Sequence, residues 1–302
     1  MSIATTVRRS SRRLGLTLVA VASVTGGAVF AATPSTAGTG STAVTAPSLA
    51  ASALPLPGDC NAAFQEATGE GTLSTVTRVP RGLSRSVMYE MPDYGNGPER
   101  PKAMAGVGTS GGPILISVRE DGTLWSHRPF KTGKPVQVGK GWGAIRQMTG
   151  FATGKVYALT TYGGLVRYDV RLSRAGNAVV TSAGAVSGRG WNGIAFLTAV
   201  ETTRQAEVLM GVSTSSGELM EYWVNLGGLG ARGYALRPSW GGMKHVSVGG
   251  CRTSGARTIL GVHENGNVYS YVDQVNDRSG ADIKGYGVLS EGFAAPTSLY
   301  SD

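Results

Sequence analysis

Lys140-Gly141-Trp142, Arg189-Gly190-Trp191 and Pro238-Ser239-Trp240 are three copies of one short phrase. Two looser copies flank them, Arg81-Gly82-Leu83 and Glu291-Gly292-Phe293. Each reads as a variable, often basic residue, then usually a glycine, then a large apolar residue. The large residues fall at 83, 142, 191, 240 and 293, so the steps are 59, 49, 49 and 53. A period of roughly 50 residues marks one supersecondary unit repeated along the chain.

The unit that starts at Trp142 shows what repeats. Ala144 to Phe151 reads as one strand, and Lys155 to Tyr162 as a second that ends at Gly163-Gly164. Leu165 to Leu172 and Ala178 to Val186 read as a third and fourth. These runs are rich in β-branched and aromatic residues and are punctuated by Gly, Asn and Asp, with no long helical periodicity. Other units repeat the plan. Pro113 to Glu120 turns at Asp121-Gly122 into Thr123 to Pro129, and Glu207 to Ser213 turns at Ser216-Gly217 into Glu218 to Val224. Thr258 to Glu264 turns at Asn265-Gly266 into Asn267 to Asp273. Tight hairpins need positive φ, which Gly and Asn adopt cheaply. Four strands per unit of about 50 residues make one blade of a β-propeller.

The ends set the blade count. After Phe293 only enough chain remains for one strand, Ala294 to Tyr300. The N-terminal piece begins with Ala62 to Thr68, turns at Glu70-Gly71 and continues as Thr72 to Val79, so it lacks a strand. The two ends complement each other, and pairing them leaves no open seam. The expected fold is all-β: a five-bladed β-propeller of four-stranded antiparallel blades, closed by pairing of the N- and C-terminal segments. The long first step of 59 suggests an insertion at Pro92 to Pro101.

These residues resemble a family. The Gly-Trp-x-x-apolar phrase, as in Trp191-Asn192-Gly193-Ile194-Ala195-Phe196-Leu197, is followed by a Gly-x-apolar-aromatic phrase. The second phrase is Gly122-Thr123-Leu124-Trp125 or Gly266-Asn267-Val268-Tyr269. Together they look like the repeat of the tachylectin-2-type five-bladed propeller lectins, over residues 58–302. Pro238-Ser239-Trp240 departs from the pattern, as do the outer markers Leu83 and Phe293. The resemblance implies N-acetylated hexosamines, of the N-acetylglucosamine or N-acetylgalactosamine type, as ligands.

Residues 1–32 read as a secretory signal peptide. Arg8, Arg9, Arg12 and Arg13 precede an apolar run from Leu14 to Ala32, with small residues at its end. The expected location is extracellular, by general or twin-arginine export, with no stable membrane anchor after cleavage. Residues 33–57 are rich in Ser, Thr, Ala, Gly and Pro and read as a disordered tether. The chain carries 28 basic and 19 acidic residues. Four of the basic residues lie in the signal, which leaves 24 against 19, a formal charge of +5 rather than +9. That modest excess does not point to nucleic acid. Cys60 and Cys251 suggest one disulfide in a secreted chain, with two free thiols as the other reading. His127, His245 and His263 give no zinc spacing with them, so neither metal nor cofactor is expected.

One motif has the look of an active site. Gly108-Thr109-Ser110-Gly111-Gly112-Pro113 resembles the nucleophile loop of chymotrypsin-like proteases. Every His follows Ser110, so the family's base has no counterpart, and the stretch reads as a turn into a strand. The Gly-Gly pairs at 111–112, 163–164, 227–228 and 249–250 also read as turns. The acidic residues Glu70, Asp121, Glu218 and Glu264 sit at repeated hairpin positions rather than gathering as a glycosidase pair. No catalytic residue is expected. A sugar site wants an aromatic plane beside hydrogen-bonding groups. The candidates are Trp142, Trp191 and Trp240, with Trp125, Tyr168, Tyr222 and Tyr269 near the third strands. A recurring Trp can equally be core between blades. The favoured expectation is a secreted, monomeric lectin with several similar weak sites that gain avidity on a polymer. A propeller hydrolase or lyase, or a protein-binding scaffold without sugar affinity, are the alternatives.

Overall fold

A computed structural model of the chain describes residues 59–67, 72–79, 82–90, 101–128, 134–227, 230–275, 277–290 and 298–301. All of them belong to one compact unit, Thr45–Asp302. The expected signal peptide and tether, residues 1–57, lie outside the described residues, as do the turn at Glu70-Gly71 and the phrase at Glu291-Gly292-Phe293.

The described residues form twenty strands and no helix. In chain order, β1 is Ala63–Ala67, β2 Thr72–Val79 and β3 Gly82–Glu90. Blade II holds β4 (Pro101–Val107), β5 (Ile114–Arg119), β6 (Leu124–His127) and β7 (Val136–Gly139). Blade III holds β8 (Ile145–Gly150), β9 (Lys155–Thr160), β10 (Leu165–Leu172) and β11 (Ala178–Ser187). Blade IV holds β12 (Ile194–Thr202), β13 (Ala206–Ser213), β14 (Leu219–Asn225) and β15 (Ala231–Arg237). Blade V holds β16 (Met243–Gly250), β17 (Arg257–His263), β18 (Val268–Asp273) and β19 (Ile283–Ser290). The last strand, β20 (Ser298–Ser301), pairs antiparallel with β1, so blade I runs β20-β1-β2-β3.

The five-bladed, end-closed ring is the expected one. The described part of the closing strand is Ser298–Ser301, in register Phe64↔Ser301 through Ala67↔Ser298, and 294–297 lie outside the described residues. First strands of successive blades neighbour one another around the ring. Second strands are covered on both faces by adjacent blades. Hence Ile114–Arg119 is buried at every position, and Ala206–Val212 and Arg257–Val262 are as well. Fourth strands face solvent, as in Ala231–Arg237. This gradient is why second strands read as continuous apolar runs and outer strands do not.

A second tie reinforces the seam between blades V and I. The Cys60–Cys251 disulfide spans 191 residues of sequence and sits in an antiparallel bridge between the two cysteines. Closing so long a loop stabilises the fold by about 5 kcal/mol in the chain-entropy account. Asn61 N–H donates to the Gly250 carbonyl at 3.0 Å, and the Ser247 hydroxyl donates to the Ala63 carbonyl. Gly249 lies inside β16, not in a turn, which corrects that expectation. A Cβ there would sit 1.9 Å from the Asn61 carbonyl oxygen, so the close approach of blade I is what requires glycine.

Two further expectations change. Arg81-Gly82-Leu83 is not a blade junction: Val79 pairs with Gly82, so the phrase lies on the β2–β3 hairpin inside blade I. The 59-residue step therefore starts from a misplaced marker, and the expected insertion, Pro92 to Pro101, falls almost wholly outside the described residues. The connection from β3 to β4 is 91–100, outside the described residues. The genuine copies share a geometry. Gly141 and Gly190 have φ of 82° and 97°, and Ser239, where glycine is replaced, still has φ of 70°. The left-handed backbone, not the letter, is what repeats.

Candidate functional site

The three equally spaced tryptophans occupy the same place in successive wedges between blades. Each backbone N–H donates to the hairpin glycine of the preceding blade: Trp142 to Gly122 at 2.8 Å, Trp191 to Gly163 at 3.0 Å and Trp240 to Gly217 at 2.7 Å. Each indole then packs on a tyrosine of the blade it introduces. Trp142 meets Tyr168 at 4.6 Å between ring centres, Trp191 meets Tyr222 at 4.6 Å and Trp240 meets Tyr271 at 4.5 Å. Trp191 and Trp240 are 6% and 3% exposed, and Trp142 is half-buried. They join the aliphatic cores between blades II and III, III and IV, and IV and V. Burial pushes the Tyr168 phenol up and raises Tyr222 and Tyr271 to about 12. In this arrangement the Trp191 and Trp240 rings present no free face to a ligand.

In blade V the tyrosine that packs on the tryptophan is Tyr271, and the candidate Tyr269 is a separate position. Counting from the hairpin glycines, Tyr168, Tyr222 and Tyr271 each lie five residues on, whereas Trp125 and Tyr269 lie three on. The seven aromatics therefore occupy three registers rather than two. Trp125 is half-buried, with its indole N–H donating to the Thr123 hydroxyl at 2.6 Å and the Arg119 guanidinium 3.7 Å above its ring. Tyr269 is half-buried and stands edge-on to His263 at 5.9 Å. Thr109-Ser110-Gly111-Gly112 is a turn into β5, held by Thr109, whose hydroxyl donates to the Gly112 carbonyl at 2.6 Å.

A different group of residues forms an open cleft. Strand alternation puts Leu219, Glu221, Trp223 and Asn225 on the face of β14 opposite Tyr222. At the outer rim of blade IV, on the side that faces blade V, Trp223, Asn225, Gly230, Ala231, Arg232 and Tyr234 line a cavity of about 450 Å³. The register Glu221↔Tyr234 and Trp223↔Arg232 across β14 and β15 brings these side chains onto one face. Arg278, from the β18–β19 connection of blade V, lays its guanidinium 3.7 Å from the Trp223 ring centre and 5.4 Å from that of Tyr234. Arg232 lies 5.2 Å from the Tyr234 ring centre. The size falls within the range of about 300–1,000 Å³ common for small-molecule sites.

Beneath the cleft lies a buried charge network. Trp223 Nε1–H donates to Glu221 at 2.6 Å, and the other oxygen of Glu221 accepts from Arg257 of blade V at 2.6 Å. Arg257 Nε also donates to Asp273 at 2.9 Å. Burial works against the Arg257 charge, but Glu221 and Asp273 more than offset it and hold the guanidinium above its ordinary value. For Asp273 burial prevails over the Arg257 charge, and its carboxyl is raised. Glu221 thus fixes the Trp223 ring from below. The two carboxylates that meet here, Glu221 and Asp273, are buried and absent from the cleft wall. Among the described residues, no group of three His, Cys, Asp or Glu could hold a metal ion.

Neither Trp223 nor Tyr234, Arg232 or Arg278 was among the expected site residues. The available signal was period-two alternation in Leu219–Asn225: with Tyr222 committed to one wedge, its neighbour Trp223 had to face the other. Arg278 is 55 residues away, in a loop, and carried no such signal.

No protein-family model and no curated protein matches the chain. Among solved structures, a six-bladed propeller lectin from Aleuria aurantia, described with a fucose recognition mode, is similar at 12% identity and a TM-score of 0.41. The match covers 77% of this chain and 74% of that one. The SapL1 lectin, solved with α-methyl fucoside, is similar at 12% identity and a TM-score of 0.40, over 70% and 77% of the two chains. The WD40 domain of SCAP from fission yeast is similar at 9% and 0.33, over 78% and 71%. Likenesses this distant, shared by lectins and a WD40 domain alike, assign no activity and no ligand.

Proposed function

We propose that the protein is a secreted, glycan-binding propeller whose principal site is the rim cleft between blades IV and V. The observation that carries this reading is the open cleft that Trp223 and Tyr234 line together, beside Asn225 and two guanidinium groups. Sugars present apolar C–H faces for an aromatic plane and hydroxyl edges for polar donors and acceptors. N-acetylated hexosamines, implied by the tachylectin-2-type resemblance of the repeat, have both features. Six residues after each hairpin glycine, blade IV has Trp223 where blades II, III and V have Arg128, Asp169 and Val272. This favours one principal site over several similar ones. Binding rather than turnover is the reading, because Glu221 and Asp273 are held under the cleft by Arg257. Residues 1–32 serve as the export signal in this account.

A glycan array probed with the mature chain is the direct test. Binding to a restricted set of glycans, lost on Trp223→Ala, is the expected result. No glycan bound, alongside robust capture of a protein partner, would replace this reading with a scaffold.

A further inference from the structure

We propose that the rim cleft is selective for anionic saccharides, with Arg278 and Arg232 receiving a carboxylate or phosphate group on the sugar. The inference rests on the glycan-binding reading and adds the charge of the ligand to it.

Three observations carry it. First, both guanidinium groups are exposed and make no hydrogen bond or ion pair with any described residue, although both lie on the aromatic wall. Their donor edges remain available. The other arginines around this wedge are spent: Arg257 on Glu221 and Asp273, and Arg237 on the Ile283 carbonyl. Second, Arg278 is placed by a strained backbone. Its φ is 70°, a left-handed conformation that bulky residues adopt only at a cost and that tends to mark functional positions. The flanking turn is held by Asp277, whose Oδ1 accepts from the Ser279 N–H at 2.9 Å and hydroxyl at 2.7 Å. That carboxyl, pulled below its ordinary value by those bonds, is thereby engaged with Ser279 rather than with Arg278. Third, stacking on Trp223, itself locked by Glu221, limits the freedom of the Arg278 side chain before any ligand arrives. Less entropy is then lost on binding. A planar guanidinium matches carboxylate and phosphate oxygens two at a time, which an ammonium does not.

The sugar ring and the anion have separate receptors in this arrangement. Tyr234 and Trp223 take the apolar face, Asn225 lies where a hydroxyl can reach it, and the two guanidinium groups take the charge. Uronic acids and sugar phosphates share the required chemistry.

The test is titration of the mature chain with methyl glucuronide, glucose 6-phosphate and methyl glucoside at low ionic strength. At least one anionic sugar is expected to bind about tenfold or more tightly than methyl glucoside, as suits a charge-assisted bidentate contact. Preference for the glucuronide identifies a carboxylate ligand, and preference for the phosphate identifies a phosphorylated one. Arg278→Ala is expected to erase the preference for the anionic sugar, Arg232→Ala to weaken it, and Arg278→Lys to restore it only in part. The residues are exposed, so these variants should fold, and a circular dichroism melt checks that they do. Equal binding of anionic and neutral sugars, or a preference that survives Arg278→Ala, would overturn this inference and leave the glycan-binding reading standing. No binding of any of the three sugars would overturn this inference, while the glycan-binding reading is decided by the glycan array.

Discussion

The wedge between blades III and IV and the wedge between blades IV and V use the same two positions with opposite charges. Four residues after the hairpin glycine, blade III presents Arg167 and blade IV presents Glu221. Seven residues before the N–H that closes each junction (Thr214 onto Gly193, Glu264 onto Gly242), blade IV answers with Glu207 and blade V with Arg257. Blade IV is thus acidic on both sides and its neighbours are basic. The first pair is loose, with Arg167 and Glu207 3.9 Å apart, and Arg167 also reaches the Asn225 and Leu226 carbonyls at 3.4 and 3.3 Å. The second is tight, at 2.6 Å. Beyond the loose pair the rim is bridged by Arg167. Beyond the tight pair Arg257 turns inward, and the rim carries Trp223, Tyr234 and Arg278 around an open cleft. An interblade ion pair at a repeated position therefore need not keep its polarity, and where its arginine points decides whether the rim is bridged or open.

The largest expected difference comes from removing the acid. Glu221→Ala leaves Arg257 short of a partner and Trp223 N–H unpaired, and should cost about 3 kcal/mol or more in denaturant unfolding. Glu207→Ala removes a looser partner of Arg167 and leaves the buried Tyr157 hydroxyl, which donates to Glu207, without its acceptor. About 1–2 kcal/mol is expected there. Equal losses would mean that the two wedges are tied alike, against the geometry.

Acid should distinguish the same two wedges. On the first strands, blade V has His245 where blade IV has Phe196 and blade III has Gln147. His245 lies between Phe64 and Phe196, and burial lowers it from 6.5 to about 3. The unfolded chain takes up this proton first, so the contribution is complete above pH 6.5 and is lost as pH falls toward 3. The loss is about 1.4 kcal/mol per pH unit within that window. His245→Phe should flatten that part of a stability-against-pH curve, and an unchanged slope would place the sensitivity elsewhere.

The smallest effect lies at the junction phrase. Ser239 holds a left-handed φ of 70° where the blade III–IV junction has Gly190 at 97°. Ser239→Gly should therefore stabilise the fold by up to about 1 kcal/mol, seen as a small rise in Tm.

These residues also show what the sequence could and could not disclose. The ring was legible because each of its signals is local. Hairpin glycines, apolar second strands and the left-handed junction residue recur at fixed spacing, and the unmatched strands at the two ends imply closure. Leu83 was misplaced because a three-residue phrase is short enough to occur on a hairpin. The disulfide was one of two readings until Cys60 and Cys251 were seen side by side across the seam. The cleft was not legible. Trp191 and Trp240 repeat because the wedge core repeats, whereas Trp223 breaks the repeat, and a search for recurring aromatics passes over it. Arg278 reaches Trp223 only through packing of one blade on the next.

Glycan affinity per folded molecule, measured for Trp223→Ala and Trp240→Ala side by side, separates a ligand held in the rim cleft from one held by the repeated tryptophans. Trp223→Ala should remain folded, losing about 1–3 kcal/mol with the hydrogen bond to Glu221, and lose binding by more than about tenfold, as for a central aromatic anchor. Trp240→Ala should lose about 3–5 kcal/mol of stability while its folded fraction binds like the parent. Binding that survives Trp223→Ala but disappears in folded Trp240→Ala would contradict the account.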